Sequence, residues 1–554
     1  MDGPRRRADH HEVHAPPQPR RRRQIAVGCI PAQEEGQTTI DRCRTREADH
    51  RLSVSFSAFS QPPLRDLIND ARDTPKLSLL LGAGTSIEAG LPSWSALIER
   101  LLVRAGTASG TLTTADEDGT NRWVAEAVRR DGYLGAAAIV EALAEDGQLG
   151  EWIPLDLYGE RSPSDFFPGP IAQQLPRLVD AFGTDLEIFT TNYDDLAEQA
   201  LRDDPVSPRQ AAAYVGEHLG VGADVVQVRH LHGYAGRDGQ AGTLVLSEAD
   251  YQRMQQGASW QANQVGAALA NSMFVFVGSS LADPNLLRYL YGEPPGNKPP
   301  RYAIFVRQDT YEPEVPDGVR KAREAAVRSR WGAVGVTVVF VDHYVEVAQA
   351  LSEMARAKRL GESYVPLPDR AATWVTTVND RLLGLAADET FQRAQSQIVT
   401  RLREALQAAV AAAERLEQRQ WDETLALTLW LVDEPGEHLI NRATTDRLHI
   451  DRATIEPVHI DEYARWVAVR AYCRGKILAE SRETYASRWH FIRGLPLVID
   501  DDEFGRIPVG CVTVTSMKRR DETMLNAIDD AVEAGFNRAL RTAIYELLAQ
   551  PFRH

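Results

Sequence analysis

Cysteine is nearly absent: four in 554 residues, Cys29, Cys43, Cys473 and Cys511, with no close pair. That excludes a disulfide framework and a thiolate zinc site. Long apolar runs are missing too, and nothing approaches the ~18–20 residues a membrane-spanning helix needs. Positive charge is in deficit, Lys+Arg 62 against Asp+Glu 78 for a formal net charge of -16. A protein neutralising phosphates over a broad face reads the other way, which leaves room only for a local basic patch. What is present is globular, 43% hydrophobic and 25% charged, with ample material for a core. At ~150 residues per domain, three or four domains is the upper guide. The expectation is a soluble, cytoplasmic protein without membrane contact.

Residues 1–60 stand apart. Arg5 to Arg7 and Arg20 to Arg23 sit among Pro and His, and like-charge blocks with little apolar content favour disorder. The apolar stretch from Gln24 is too short for a secretory segment. A basic arm that attracts nucleic acid or membrane is one reading; a disordered tail, or residues upstream of the true start codon, is the plainer one. From Leu64 to about Ala357, short apolar strands alternate with helical stretches, the signature of a parallel α/β sheet. Leu77–Leu81, Leu186–Thr190, Met273–Val277, Tyr302–Val306 and Val336–Val341 are the strands, the last followed by a helix from about Val345 to Ala357. Their near-continuous apolarity implies burial on both faces, as in Rossmann-like doubly wound sheets. Thr107 to Leu175 reads as a helical insertion. Residues 61–360 therefore form one domain and 361–385 a linker. In 386–420, Ile398, Leu402, Ala405, Ala409, Ala412 and Leu416 make a heptad-like seam on a long helix, suited either to packing on its own domain or to dimerisation. Residues 421–554 read as α+β, with strands at Leu425–Val432, Trp466–Ala471, Leu495–Ile499 and Val509–Thr515 and a helix from Met524 to Leu548.

Four motifs fall where the first domain's strands end, the place where doubly wound sheets bind ligands. Gly82-Ala83-Gly84-Thr85-Ser86, continuing to Gly90, lets backbone N–H groups approach a pyrophosphate at a helix N-terminus; alone it reads first as a structural tight turn. Thr190-Thr191-Asn192-Tyr193-Asp194 offers Asn192 as donor and acceptor and Asp194 as an acceptor for a ribose hydroxyl, or a helix cap. His230-Leu231-His232-Gly233 supplies an imidazole able to exchange protons near neutral pH, or a satisfied structural histidine. Gly278 to Asn285, with Ser280 and Asp283, suits a ribose or simply a helix start.

Together, their order and spacing resemble the sirtuin-like fold, in particular its bacterial NAD-consuming branch. The resemblance covers roughly Leu64 to Ala357. It implies NAD+ as substrate, with Gly82, Ala83, Gly84, Thr85, Ser86 and Gly90 in the first nucleotide-binding motif. It implies Asn192 and Asp194 at the nicotinamide ribose, His232-Gly233 as the catalytic pair, and Gly278, Ser280, Asp283 and Asn285 in the motif that approaches the adenosine ribose. Two departures matter. Protein deacylases of the family usually carry two Cys-X-X-Cys pairs for zinc, absent here, so no zinc is expected. They also usually read Gly-Ile-Pro-Asp-Phe-Arg where this chain has Gly90-Leu91-Pro92-Ser93-Trp94-Ser95. Zinc-free bacterial relatives are largely NAD hydrolases of antiphage defence that act by emptying the NAD pool.

The expectation is an NAD+ glycohydrolase releasing nicotinamide and ADP-ribose. Asn192 would position water and ribose, His232 would act as general base, Asp194 would orient ribose, and Gly82 to Ser86 would cradle pyrophosphate. An NAD-dependent deacylase or ADP-ribosyltransferase is the alternative, and a non-catalytic nucleotide-sensing scaffold the second. The segment from Trp489, with Ile507-Pro508-Val509-Gly510-Cys511-Val512-Thr513, resembles a GAF-type sensor domain. That implies a ligand- or partner-responsive switch, with a phage-derived or small-molecule trigger acting on the C-terminal domain, or else a dimerisation or packing module with no ligand; a homo-oligomer is expected. Nucleic acid is not expected as a partner apart from the basic N-terminal arm.

Overall fold

The computed structural model describes residues 59–549, apart from 88, 113–116, 146, 160–166, 205–206, 217–224, 238–243, 256–258, 293–297, 308–314, 384–387, 434–435, 447–455, 462–463, 476, 482–487, 502–504 and 528–529. The N-terminal segment read as disordered, with Cys29 and Cys43, lies outside these residues. Seven strands form one sheet: β1 (Leu77–Leu81), β2 (Leu186–Thr190), β3 (Ala211–Tyr214), β4 (Val226–His230), β5 (Met273–Val277), β6 (Arg301–Val306) and β7 (Thr337–Val341). Every pairing is parallel, in the order β3-β4-β2-β1-β5-β6-β7. The chain fills one side of β1 and then crosses to the other, so the order reverses between β1 and β5. That is the crevice where open α/β sheets receive ligands.

Burial explains the apolar strands. Leu77, Leu79 and Leu81 face one core with Val275 and Val277, while Leu80, Phe274 and Phe276 face another with Trp331 and Phe340. Both faces are covered by helices, as parallel sheets require. The insertion read from Thr107 carries the helices Glu117–Leu143, broken at Gly132 where φ is +64°, and Gln148–Tyr158, and it packs with the preceding helix Trp94–Ala108. Their shared core of Ile98, Leu101, Val140 and Ile153 also takes in Tyr193, Ala235 and Leu246, so the insertion packs on the segments that follow β2 and β4.

A second, antiparallel sheet follows, in the order β10-β9-β8-β13-β12-β11. Its strands are β8 (Leu425–Val432), β9 (His438–Thr444), β10 (Val458–His459), β11 (Leu478–Ser481), β12 (Phe491–Asp501) and β13 (Gly505–Ser516). Here the structure corrects the sequence reading. Trp466–Ala471 is not a strand; Val467–Arg474 is a helix ended by Gly475 in the left-handed region. The stretch Val-Ala-Val-Arg-Ala-Tyr looks strand-like by composition, but Val467 and Ala471, one turn apart, both rest on Gly494 of β12. Tertiary packing overrides β propensity here. The presumed linker contains a helix, Leu367–Leu383, whose buried Ala371, Trp374, Val375 and Val378 repeat with helical spacing; Pro368 is tolerated in its first turn. The closing helix read from Met524 to Leu548 is helical over its described residues, Met524–Ala527 and Asp530–Ala549. On Asp388–Glu417, Ile398, Leu402, Ala405 and Ala409 are buried, but the seam then passes to Ala413 and leaves Leu416 55% exposed. A straight helix drifts off a 3.5-residue repeat in this way, and this one packs on Asp530–Ala549 and on β8 and β9. The seam is covered by the chain itself.

The helix Tyr344–Leu360 joins the two sheets and is buried from Tyr344 to Ala357. It packs on Pro62–Asp73 and Leu175–Phe182 and on β13. Its polar side chains are matched: Gln349 donates to the Arg506 carbonyl at 2.6 Å, and Glu353 accepts from Arg370 and from Tyr364, each at 2.6 Å. Gly475 docks on this helix, and a Cβ there would lie 2.7 Å from Cβ of Val345 at a backbone φ of +61°. Gly475→Val should therefore combine left-handed strain with overpacking and destabilise by about 2–4 kcal/mol. Thermal unfolding would show the drop, and a second Val345→Ala change should recover part of it, because the two residues share one contact.

Candidate active site

β1 and β5 approach each other so closely after their last residues that side chains are excluded. Gly82 N–H donates to the Val277 carbonyl at 2.9 Å and Gly84 N–H to the Gly278 carbonyl at 2.9 Å. A Cβ on Gly82 would meet the Gly278 oxygen at 2.5 Å, and one on Gly84 would meet Gly278 Cα at 2.9 Å. Gly278 itself has a φ of +64°. Ala83 occupies the turn between Gly82 and Gly84, and Gly90, also left-handed at +85°, closes the next turn. Gly82, Gly84 and Gly278 of this cradle must be glycine because each strand end fills the space a Cβ on the other would need.

Asn192, just past β2, is bonded into that cradle. Its Nδ2 donates to the Gly82 carbonyl (3.1 Å), Thr85 Oγ1 (3.2 Å) and Ser86 Oγ (3.0 Å). Thr85 has given its proton to the Gly82 carbonyl and Ser86 has given its own to Asp194. Both hydroxyls therefore face Asn192 as acceptors, which fixes the amide with NH2 toward them and Oδ1 away. Oδ1 is buried without a hydrogen-bond partner among the described residues. Asp194, read as a ribose ligand, has both oxygens taken, Oδ2 by Ser86 at 2.8 Å and Oδ1 by the Leu196 N–H at 3.2 Å. Burial pushes its carboxyl up to about 6, against those two hydrogen bonds. It stands behind Asn192.

The two histidines after β4 differ in kind. His230 lies between two acceptors: Nδ1 is 2.9 Å from the Asn192 carbonyl and Nε2 is 2.8 Å from Glu198. Each nitrogen must donate, so the ring is an imidazolium. Burial alone would lower its pKa, but the Glu198 charge and hydrogen bonds to Glu198 and Asn192 raise it overall. A histidine raised in the folded state contributes stability that is complete below its unfolded value of about 6.5 and is lost as pH climbs through the folded value. Glu198→Gln should thus cost about 3–5 kcal/mol at pH 6, and less at pH 9. Urea midpoints of both proteins at the two pH values check this; a gap that widens toward pH 9 is the contrary result.

His232 is the other kind. Its Nε2 lies 3.0 Å from Asp283 Oδ2. Asp283 also caps the helix Pro284–Tyr291 by accepting from the Leu286 N–H at 2.9 Å, and it accepts from the Tyr251 hydroxyl at 2.7 Å. Burial works against the Asp283 anion, yet His232, the Leu286 N–H and Tyr251 hold its pKa below the usual value. The Tyr251 ring meets His232 edge-on at 5.4 Å. Gly233, with a φ of +95°, turns the chain away directly afterward, and the Tyr158 and Tyr193 hydroxyls bind the Ala235 and Val245 carbonyls on either side of the following loop.

The cradle with Asn192, and the His232–Asp283 pair, thus stand as two clusters past the ends of β1, β2, β4 and β5. Ser280 is exposed and spends its oxygen on the Ala282 N–H. Asn285 is buried with its amide toward the Met254 sulfur at 3.7 Å, on the far side of Asp283 in sequence. Nothing in the sequence pointed to Tyr251 or Glu198; each reaches its histidine only through folding. Among the described residues no three His, Cys, Asp or Glu side chains are grouped to hold a metal, Cys473 and Cys511 are separately buried thiols, and no helix is long and apolar enough to cross a membrane.

Residues 186–325 match a family model described as a SIR2-like domain. The match runs from β2 into the helix Asp317–Gly332 and contains three of the four motifs. The first, Gly82 to Ser86, lies upstream of it but is hydrogen-bonded to Asn192 and Gly278 within it. No curated protein matches the chain. A sirtuin-like segment on a Rossmann-like sheet is thereby supported, and it is consistent with an NAD-utilising enzyme.

Proposed function

We propose that the chain is an NAD+ glycohydrolase. The observation that carries this reading is the unsatisfied, buried Oδ1 of Asn192 beside a glycine cradle with no room for a Cβ. In this reading the pyrophosphate lies against the backbone of the turn that follows β1, and Asn192 accepts from a ribose hydroxyl or a water. In the reaction the bond between ribose C1′ and the nicotinamide nitrogen breaks, the electron pair leaves with neutral nicotinamide, and water adds at C1′. His232 takes the proton of the water or of a ribose hydroxyl. Asn192 orients the attacked ribose and the cradle holds the phosphates, so the charge changes occur among preorganised dipoles. Asp194 and the His230–Glu198 pair act by fixing Asn192, the first through Ser86 and the second through the Asn192 carbonyl.

The replacement of the deacylase segment by Ser93, Trp94 and Ser95 favours water over acyl-lysine as the acceptor. Here Ser93 serves as a helix cap, accepting from the Ala96 N–H. The resemblance to the zinc-free bacterial branch supports a role in antiphage NAD+ depletion, and the antiparallel sheet, as a GAF-like sensor, is the natural seat of a trigger acting through the Tyr344–Leu360 helix.

The test is incubation of the full chain with NAD+, alone and with infected-cell lysate, with nicotinamide and ADP-ribose quantified. Release that disappears in Asn192→Ala and His232→Ala is the expected result. Products formed only with an acylated peptide would make it a deacylase, and intact NAD+ under both conditions would make it a binding protein.

A further inference from the structure

Asp283 carries three hydrogen bonds from this chain, to the Leu286 N–H on Oδ1 and to Tyr251 and His232 on Oδ2, and its side chain is only 12% exposed. A carboxylate offers about four lone-pair sites, so little capacity is left for a sugar hydroxyl. His232 shows the complementary pattern. Nε2 is occupied by Asp283, whereas Nδ1 has no hydrogen-bond partner among the described residues and is not fully buried. The Tyr251 hydroxyl lies 3.5 Å from the same Nε2, but its single proton is committed to Asp283.

Resting on the NAD+-cleavage reading, we propose that Asp283 is a positioning residue for His232 and not a ribose ligand. With Tyr251 steadying the carboxylate, it holds the imidazole with the proton on Nε2 and leaves Nδ1 as the basic nitrogen. Three consequences of the local geometry make this specific. Asp283 is an anion whose acceptors are aimed by the helix it caps, so its orientation is set by the backbone and not by the ligand. Tyr251 donates to it and cannot accept the Nε2 proton in its place at 3.5 Å. A basic Nδ1 can receive a proton from water or a ribose hydroxyl without any rearrangement of the ring.

Asp283→Asn isolates the role because asparagine caps a helix as well as aspartate. Its Oδ1 can keep the Leu286 N–H, which turns Nδ2 toward Tyr251 and His232. Nε2 must then accept, and the ring proton moves to Nδ1, removing the base. The measurement is made on the full chain labelled with 15N-histidine. The His232 signal is assigned by its loss in His232→Gln, and two-bond proton–nitrogen correlations report which nitrogen is protonated when the ring is neutral. Steady-state NAD+ cleavage is recorded in parallel. We expect Nε2–H in the wild type and in Tyr251→Phe, and Nδ1–H in Asp283→Asn. The kcat of Asp283→Asn should fall by about 10²–10⁴-fold with KM changed less than about threefold, and Asp283→Glu should restore part of the kcat. A raised KM with unchanged kcat would make Asp283 a ribose ligand, and a wild-type tautomer in Asp283→Asn would overturn the positioning role. If the wild type leaves NAD+ intact, the hydrolase reading fails, while the tautomer measurement still decides whether Asp283 sets the ring.

Discussion

Gly82→Ala is expected to unfold or inactivate this protein. The new Cβ would lie 2.5 Å from the Gly278 oxygen and 2.7 Å from Ser279 Cα. Both are backbone atoms, so no side chain can swing aside. The neighbouring Gly82-to-Val277 and Gly84-to-Gly278 hydrogen bonds tie the same two strand ends together, and relief means parting β1 from β5 at the crevice. Overpacking a well-filled interior costs about 1–3 kcal/mol, and here the upper end applies because only the main chain can yield. That is a large share of the 5–15 kcal/mol a domain commands. Any protein that still folds should lose about 10²-fold in NAD+ cleavage, the penalty of a displacement near 1 Å at a reacting centre. Gly266→Ala is the control. It lies within the helix Trp260–Asn271 with open space at its Cβ, and should gain about 0.5–1 kcal/mol from the better helix former. Chemical unfolding and turnover of the two variants, side by side, decide the matter; equal behaviour would mean that the strand ends do not meet as described.

Asn192→Ala should separate activity from stability. Removing Nδ2 withdraws one donor from the Gly82 carbonyl, Thr85 and Ser86. The carbonyl keeps the Thr85 hydroxyl, and Ser86 keeps Asp194, so the structural cost should stay near 1–2 kcal/mol. Turnover should fall much further, by about 10²–10³-fold, the usual effect of deleting one preorganised polar group at a centre where charge develops. Asn192→Asp should be as inactive and less stable, because it turns acceptors toward acceptors and adds a charge beside Asp194. A variant with wild-type turnover and a lowered melting temperature would reduce Asn192 to a structural amide.

Much of the parallel sheet was legible because its signals are local. Met273–Val277 and Leu77–Leu81 are apolar at every position but Ser78, and that serine is buried between Ser272 and Glu187. The pattern therefore announces burial on both faces before any partner is known. β3 and β4 carry no such signal. Ala211–Tyr214 is small and short, and Val226–His230 alternates apolar with polar residues, as edge-side strands do. The C-terminal half was harder. Val467–Arg474 packs as a helix on Gly494 of β12, a contact that no window of sequence contains.

The candidate site divides in the same way. Glycines that end a strand, an asparagine two residues past another and a His-Gly pair are patterns of neighbouring residues, so the sequence alone determined which groups would stand at the crevice. Their roles were decided by tertiary structure. Asp194 was turned inward onto Ser86 and the start of its own helix. His230 was spent between Asn192 and Glu198, while His232 kept one nitrogen unbound. Asp283, expected near a ribose, lies instead against His232 and caps its own helix. A side chain's chemistry is fixed by its type, but which of its lone pairs and protons remain available is fixed by the distant residues that folding brings against it.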